Sequence, residues 1–270
     1  MWFPFQKFLP SRTIASLLGI CDSPKPAYEL TKNLQTTTPE QVVITKPDVV
    51  LLQDSFTTYF RHAPFLAILK IAKHLGKRVA VLPLRPCGKA LHVRGALELF
   101  NKTAKENIEW LMPVHKCKIP IIGIDPAATL LWRDEYPDNQ IRVLLPQEWL
   151  TTQDLSTITL NGEWRLFPHC IEKATTVGIN VHWKQLFEKM NGKLTIIETA
   201  CCGMGGLFGH QKENKRLSVD IWNMHWASHH PCETNSLTTG YSCYNQAKRI
   251  EGISLPHPLE VIASSILPNR

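Results

Sequence analysis

From Asp48 onward the chain alternates two patterns: short, nearly continuous apolar runs, and longer segments whose apolar residues recur every three or four positions. The first predicts strands covered on both faces, the second amphipathic helices. Asp48–Gln53 is a strand run ending at Asp54, and Pro64–Leu75 is a helical segment stopped by Gly76, where a left-handed residue commonly ends a helix. Arg78–Leu82 is the next strand, closed by Pro83 and Pro86. A long helix follows Cys87-Gly88-Lys89, with Leu97, Phe100, Ala104, Ile108 and Leu111 on one face. Ile119–Ile124 is a third strand, ending at Asp125-Pro126, before a short helix through Leu130, Leu131 and Trp132.

The second half follows the same order. Trp164–Phe167 is a strand leading to His169-Cys170. A helix with Trp183, Leu186, Phe187 and Met190 on one face ends at Gly192. Leu194–Ile197 is a strand leading to Cys201-Cys202-Gly203, followed by a helix through Leu217, Ile221 and Met224. Leu237–Gly240 leads to Cys243 and a helix over Gln246–Ile250. Alternating strands and helices predict an α/β fold of βαβ units. Asp54 matches Cys170 at an offset of 116, Cys87-Gly88 matches Cys202-Gly203 at 115, and Asp125 matches Cys243 at 118. These offsets predict two duplicated Rossmann-like halves, 48–160 and 161–270, with parallel sheets facing a central cleft. Residues 1–47 read as a linker-like segment. Six prolines interrupt it, it offers only a short helix around residues 12–20, and it contains the loop Thr36-Thr37-Thr38-Pro39.

At 270 residues, 44% hydrophobic and 20% charged, the composition is that of a folded globular protein, neither disordered nor membrane-spanning. The N-terminal stretch faintly resembles an export signal. However, Pro10 and Arg12 break its apolar region and Ile20 stands where a small residue belongs before a cleavage point, so a cytoplasmic location is expected. The net charge of +7 is uneven: residues 61–118 hold twelve Lys and Arg against three acids, +9, and the remainder nets −2. Such a face suits an acidic partner or a carboxylate, or is simply solvated. No nucleic-acid-binding motif accompanies it.

Eight cysteines, Cys21, Cys87, Cys117, Cys170, Cys201, Cys202, Cys232 and Cys243, are too dispersed for a disulfide scaffold and point to metal binding, catalysis or packing. Ligands of open parallel sheets sit beyond the carboxyl ends of the strands. The second half places Cys170, Cys201, Cys202 and Cys243 at three such ends. Four thiolates there could take Zn²⁺ or an iron–sulfur cluster. Adjacent cysteines strain a single tetrahedral ion, whereas a larger cluster accepts them. Buried packing cysteines are the alternative, and Cys21 and Cys117 read that way. Asp54, Cys87, Lys89, His92, Asp125 and His210 are candidates for lining the cleft. A nucleophilic cysteine with His92, His169 or His210 as base is a competing class. The glycines at 203, 205, 206 and 209 do not form a G-x-G-x-x-G loop.

The same residues carry a family resemblance. Leu52–Thr57, Gly88–Ala90, Gly123–Ala127, Arg133–Tyr136, Cys201–Met204, Thr239–Cys243 and Lys248–Gly252 are similar to the C-terminal cysteine-rich (CCG) domain of FAD-linked oxidases and iron–sulfur D-2-hydroxyglutarate dehydrogenase-like proteins. The cysteine-rich component of heterodisulfide reductase and the iron–sulfur component of glycolate oxidase are relatives of that domain. The resemblance implies an iron–sulfur cluster on Cys170, Cys201, Cys202 and Cys243, and an electron-transfer role in a flavin-dependent 2-hydroxyacid dehydrogenase. It implies FAD on a partner flavoprotein subunit or domain, so that this chain, a fragment or separate subunit, is inactive alone. Two departures stand out. The C-x2-C-x2-C-x3-C-P run that precedes such domains is missing, and the last motif, often Cys-x-x-Cys, is Cys243-Tyr244-Asn245-Gln246. The alternatives are an interaction module with a structural or zinc-binding cysteine site, and a redox enzyme using Cys201-Cys202 as a reactive pair.

Overall fold

Val49–Leu51 (β1), Val79–Val81 (β2), Ile121–Ile122 (β3) and Val143–Leu144 (β4) form one parallel sheet in the order β2-β1-β3-β4. Glu163–Phe167 (β5), Lys193–Ile196 (β6) and Ser236–Thr238 (β7) form a second, in the order β6-β5-β7. The computed structural model describes residues 19–266 apart from 23, 25, 29–31, 139 and 176–177. The helix expected around residues 12–20 therefore lies almost wholly outside the described residues. In each sheet the first strand in sequence is central, with the second and third on either side. β1 is buried along its whole length, as its unbroken apolar run requires.

On the first sheet the helices are Pro39–Thr45 (α1), Ser55–Tyr59 (α2), Ala63–His74 (α3), Lys89–Val93 (α4), Leu97–Lys116 (α5), Pro126–Leu130 (α6) and Pro146–Leu150 (α7). A single π-helical turn, Leu131–Glu135, continues α6. On the second they are Cys170–Thr175 (α8), Ile179–Lys189 (α9), Lys215–His225 (α10), Tyr241–Glu251 (α11) and Pro258–Ser265 (α12). Among the described residues no helix is long and apolar enough to cross a membrane.

Several elements differ from the expectation. The expected loop holds at Thr36–Thr38, but the linker-like segment then forms α1 from Pro39. Thr38 caps it by accepting from the Gln41 N–H, Pro39 occupies its first turn, and Val42 is buried beneath α5. The first sheet has a fourth strand, β4, whose two residues are too few for a periodicity to show. The single helix expected after Gly88 is broken at Gly95, which has φ +73°. α11 begins at Tyr241, so Cys243 lies in its first turn rather than before it.

Alternation along the strands builds three core layers. Val50 and Leu52 face a cluster with Phe100, Leu111 and Trp132. Val49 and Leu51 face the other way, into a cluster that also contains Leu166, Trp183, Phe187, Leu194 and Leu237 of the second sheet. α3 packs on α12 and α7 on α9, closing this shared layer. Beyond the second sheet, Phe167, Trp222 and Trp226 surround Cys202 and Cys243. Burying a Trp or Phe in such a layer contributes roughly 2–3 kcal/mol, so the aromatic layer is a principal anchor for the cysteine loops.

Candidate functional site

Three strand ends of the second sheet deliver the four thiols. β5 runs into His169-Cys170, where Cys170 opens α8. β6 is followed by Cys201-Cys202, and β7 by Gly240 and α11, which carries Cys243. Cys202 and Cys243 are buried; Cys170 and Cys201 are half-buried. The thiols are close enough to perturb one another: Cys201 feels Cys170 and Cys202, and Cys202 also feels Cys243. Gly203 N–H donates to Cys201 Sγ at 3.3 Å. Hydrogen bonds from Cys170 and then Cys202 hold the Cys201 thiol far below its ordinary range. The donated bonds, together with burial, push the Cys170 and Cys202 thiols up. Among the described residues no three or more His, Cys, Asp or Glu are arranged to hold a metal ion.

The walls are fixed by contacts that only certain residues permit. Gly203 has φ +88°, and a Cβ there would overlap the Ser218 carbonyl of α10. Gly240 lets the His169 ring pass where a Cβ would overlap it. Burial drives His169 down to about 4, so the ring is neutral, and its Nδ1 accepts the Ile171 N–H at 3.2 Å. Trp226 Nε1 donates to Ala200 O at 3.2 Å, and Lys173 Nζ donates to Thr199 O. These two bonds hold the segment just before Cys201. Glu172 was not among the candidates from the sequence. It lies fully buried in the first turns of α8, accepting from His169 N, Thr239 Oγ1 and Gln147 Nε2, and burial raises it to about 7. A lone Glu in a short, otherwise unremarkable helix offers no pattern from which this could have been read.

The first-sheet candidates fall into two groups. Asp54 and Asp125 are both buried N-caps. Asp54 accepts from Phe56 N, Thr57 N and Thr57 Oγ1 at 2.8, 2.9 and 2.5 Å. Burial, and then the Asp125 charge, raise it to about 6. Asp125 accepts from Ala127 and Ala128 and, across to the second sheet, from Tyr241 N at 3.0 Å. It therefore holds the start of the helix that carries Cys243. Burial pushes the Cys87 thiol up to about 11, with Asp54 adding to the shift. Lys89 and His92 instead converge on Glu135, at 2.9 and 2.6 Å. The neighbouring Tyr136 hydroxyl donates to Cys87 O at 2.8 Å.

His210 is held by other groups. Its Nδ1 meets Asp22 Oδ1 at 2.8 Å and its Nε2 meets Asn245 Nδ2 at 2.9 Å. Its carbonyl accepts from both the backbone and the thiol of Cys21. The structure thus brings together Cys170, Cys201, Cys202 and Cys243, sets Asp54 beside Asp125 and Cys87, and assigns Lys89, His92 and His210 to separate hydrogen-bond networks.

No family model matches the chain. D-2-hydroxyglutarate dehydrogenase of Pseudomonas putida is 39% identical over 220 residues, 79% of this chain and 22% of that protein. The Escherichia coli enzyme of the same name is 33% identical over 269 residues, 96% of this chain and 26% of that protein. The chain is homologous to a part of the D-2-hydroxyglutarate dehydrogenases. It spans about a quarter of the length of these curated relatives. A more distant homologue is one subunit of the anaerobic glycerol-3-phosphate dehydrogenase of Escherichia coli, 22% identical over 236 residues, 82% of this chain and 60% of that protein. The homology to the D-2-hydroxyglutarate dehydrogenases extends over nearly the whole chain, the first sheet as well as the cysteine-bearing second.

Proposed function

We propose that the chain is the iron–sulfur electron-transfer portion of a flavin-dependent 2-hydroxyacid dehydrogenase, a fragment or separate subunit that works with a flavoprotein carrying FAD. The observation that carries this reading is that four neighbouring cysteines follow the three strands of the second sheet, Cys202 and Cys243 inside a buried aromatic layer and Cys170 and Cys201 half-buried. Homology to D-2-hydroxyglutarate dehydrogenases and to a subunit of another dehydrogenase supports the redox class. The common strand order of the two sheets supports descent of the halves from one duplicated unit, with the cysteine set retained in the second.

The donor set fits an iron–sulfur cluster: four sulfurs, an N–H already directed at one of them, and walls of Phe167, Trp222 and Trp226. A single Zn²⁺ suits the set less well, because the adjacent Cys201 and Cys202 are harder to bring around one tetrahedral ion than onto a larger cluster. Cys170, Cys201, Cys202 and Cys243 would hold the cluster, which supplies one-electron storage and transfer. The protein supplies the rest. The Gly203 N–H stabilises charge on Cys201 sulfur, the neutral His169 ring adds no proton at the site, and the stacked indoles of Trp222 and Trp226 pack in the layer that holds Cys202 and Cys243.

Anaerobic expression and reconstitution, followed by iron, sulfide and zinc analysis with absorption and EPR spectra, tests the proposal. Stoichiometric iron and sulfide that are lost in Cys202→Ser are expected. A colourless chain without iron after reconstitution overturns the reading, and one zinc per chain would favour a structural interaction module.

A further inference from the structure

A pocket of about 420 Å³ opens beside α11, lined by Asp22, Pro24, Phe60, His210, Tyr241, Tyr244, Asn245, Lys248 and Arg249. Its volume is that of a small-molecule site. One wall is aromatic: Tyr241 stacks on Phe56 with centroids 4.9 Å apart and lies 5.7 Å from Phe60 and 6.4 Å from Tyr244. Among the described residues, neither the Tyr241 nor the Tyr244 hydroxyl has a hydrogen-bond partner, and Lys248 has no carboxylate partner. The Lys248 ammonium stands 5.9 Å from the Tyr244 ring.

Among the described lining residues the charged groups are not equally committed. Arg249 is committed: its guanidinium donates to Gly209 O and to Ser218 Oγ and lies 3.6 Å from Asp22, while its buried Nε has no partner. His210 is occupied at both ring nitrogens, Nδ1 with Asp22 at 2.8 Å and Nε2 with Asn245 at 2.9 Å. Arg61, against the outer face of Tyr244, is matched by Glu260. Among the described lining residues, Asp22 is taken up by Arg249 and His210, and Lys248 is the cation with no carboxylate at hand. A dianion would face Asp22 with a single free cation. A monoanion with a flat apolar body matches both the charge and the ring wall. We propose that this pocket binds a small monocarboxylate with a planar, aromatic or unsaturated body, its carboxylate at Lys248 and its body on Tyr241 and Tyr244.

Titration of the full chain with benzoate, acetate and inorganic phosphate, followed by NMR of the tyrosine ring resonances, tests this on iron-free protein, so that the result is independent of cluster chemistry. Benzoate is expected to shift the Tyr241 and Tyr244 resonances saturably, acetate more weakly and phosphate not at all. Lys248 is exposed, so its variants should keep the fold, as circular dichroism will show. Lys248→Gln should weaken benzoate about fivefold, the size of one exposed ion pair. Lys248→Glu should weaken it further. Phosphate acting as strongly as benzoate, no saturable shift, or unchanged affinity in both variants would each overturn the proposal.

Discussion

Gly203 and Gly240 differ in the kind of constraint they meet, and the difference predicts different phenotypes. Gly203 combines a left-handed backbone at φ +88° with contact against the α10 backbone. Gly203→Ala should therefore cost about 3 kcal/mol or more in a urea melt, because the carbonyl it meets is backbone and not the end of a flexible side chain. Gly240 has ordinary extended backbone at φ −97°, and the atom it would meet is the His169 ring. Gly240→Ala should cost less stability but displace that ring, and iron retained after reconstitution should fall. Asp54 titrates in the accessible range. Its folded value of about 6 lies above the ordinary carboxyl range because burial, and then Asp125, disfavour its charge. A raised folded value means that the native state holds its proton more tightly. That stabilisation is complete below the unfolded value near 4, and is lost as pH rises through 6. Melting temperature measured from pH 7.5 down to 5.5 should therefore rise relative to Asp54→Asn, which keeps the cap and lacks the titration. A steeper rise in the variant would refute this assignment.

At the level of elements, α1 shows why part of the fold was hidden in the sequence. Its Thr-Pro start is a strong helix opening, yet it follows a run of threonines and prolines that reads as a linker, and only Val42 and Pro39 are buried in its seven residues. The 3.4 Å cap bond of Thr38 is long and exposed, so Thr38→Ala should cost about 0.5 kcal/mol. A loss above about 2 kcal/mol in chemical denaturation would mean that α1 carries more of the core than its burial indicates. The longer patterns were legible because each repeats its period several times: β1, α3, β2, α5, β5, α9 and β6 all lie where their apolar residues put them. β4 and the π turn after α6 were not. Each meets a partner that sequence does not display: β4 pairs with the edge of β3, and Arg133 of the π turn forms an ion pair with Glu148 of α7 at 2.8 Å.

Over the whole molecule, the placement of Cys170, Cys201, Cys202 and Cys243 after the three strands of the second sheet was legible in the sequence, whereas the groups that tie the two sheets together were not. Arg61 is the clearest case. In sequence it is one of twelve cations in a basic stretch. In the structure its side chain is only 5% exposed, and its Nη2 donates to Leu255 O at 2.8 Å and Glu260 Oε1 at 2.9 Å while the guanidinium lies 4.1 Å from the centre of the Tyr244 ring. Glu260 also caps α12 through His257 N at 2.9 Å. One cation thus joins the loop after α2 to the last helix and to the helix that carries Cys243. Removing it leaves a partly buried carboxylate without its cation and the Leu255 carbonyl without its donor, a loss of about 3–5 kcal/mol. Arg61→Ala should lower the denaturation midpoint by that amount. Because α3 and α12 share the layer between the sheets, unfolding should stay a single transition by both tryptophan fluorescence and circular dichroism. Arg61→Lys should recover less than half of the loss, since a single ammonium on a flexible stem does not reproduce a flat group that bonds two oxygens and covers a ring. Two separated transitions in Arg61→Ala would show instead that the sheets hold independently, and would remove Arg61 from the role of coupling them.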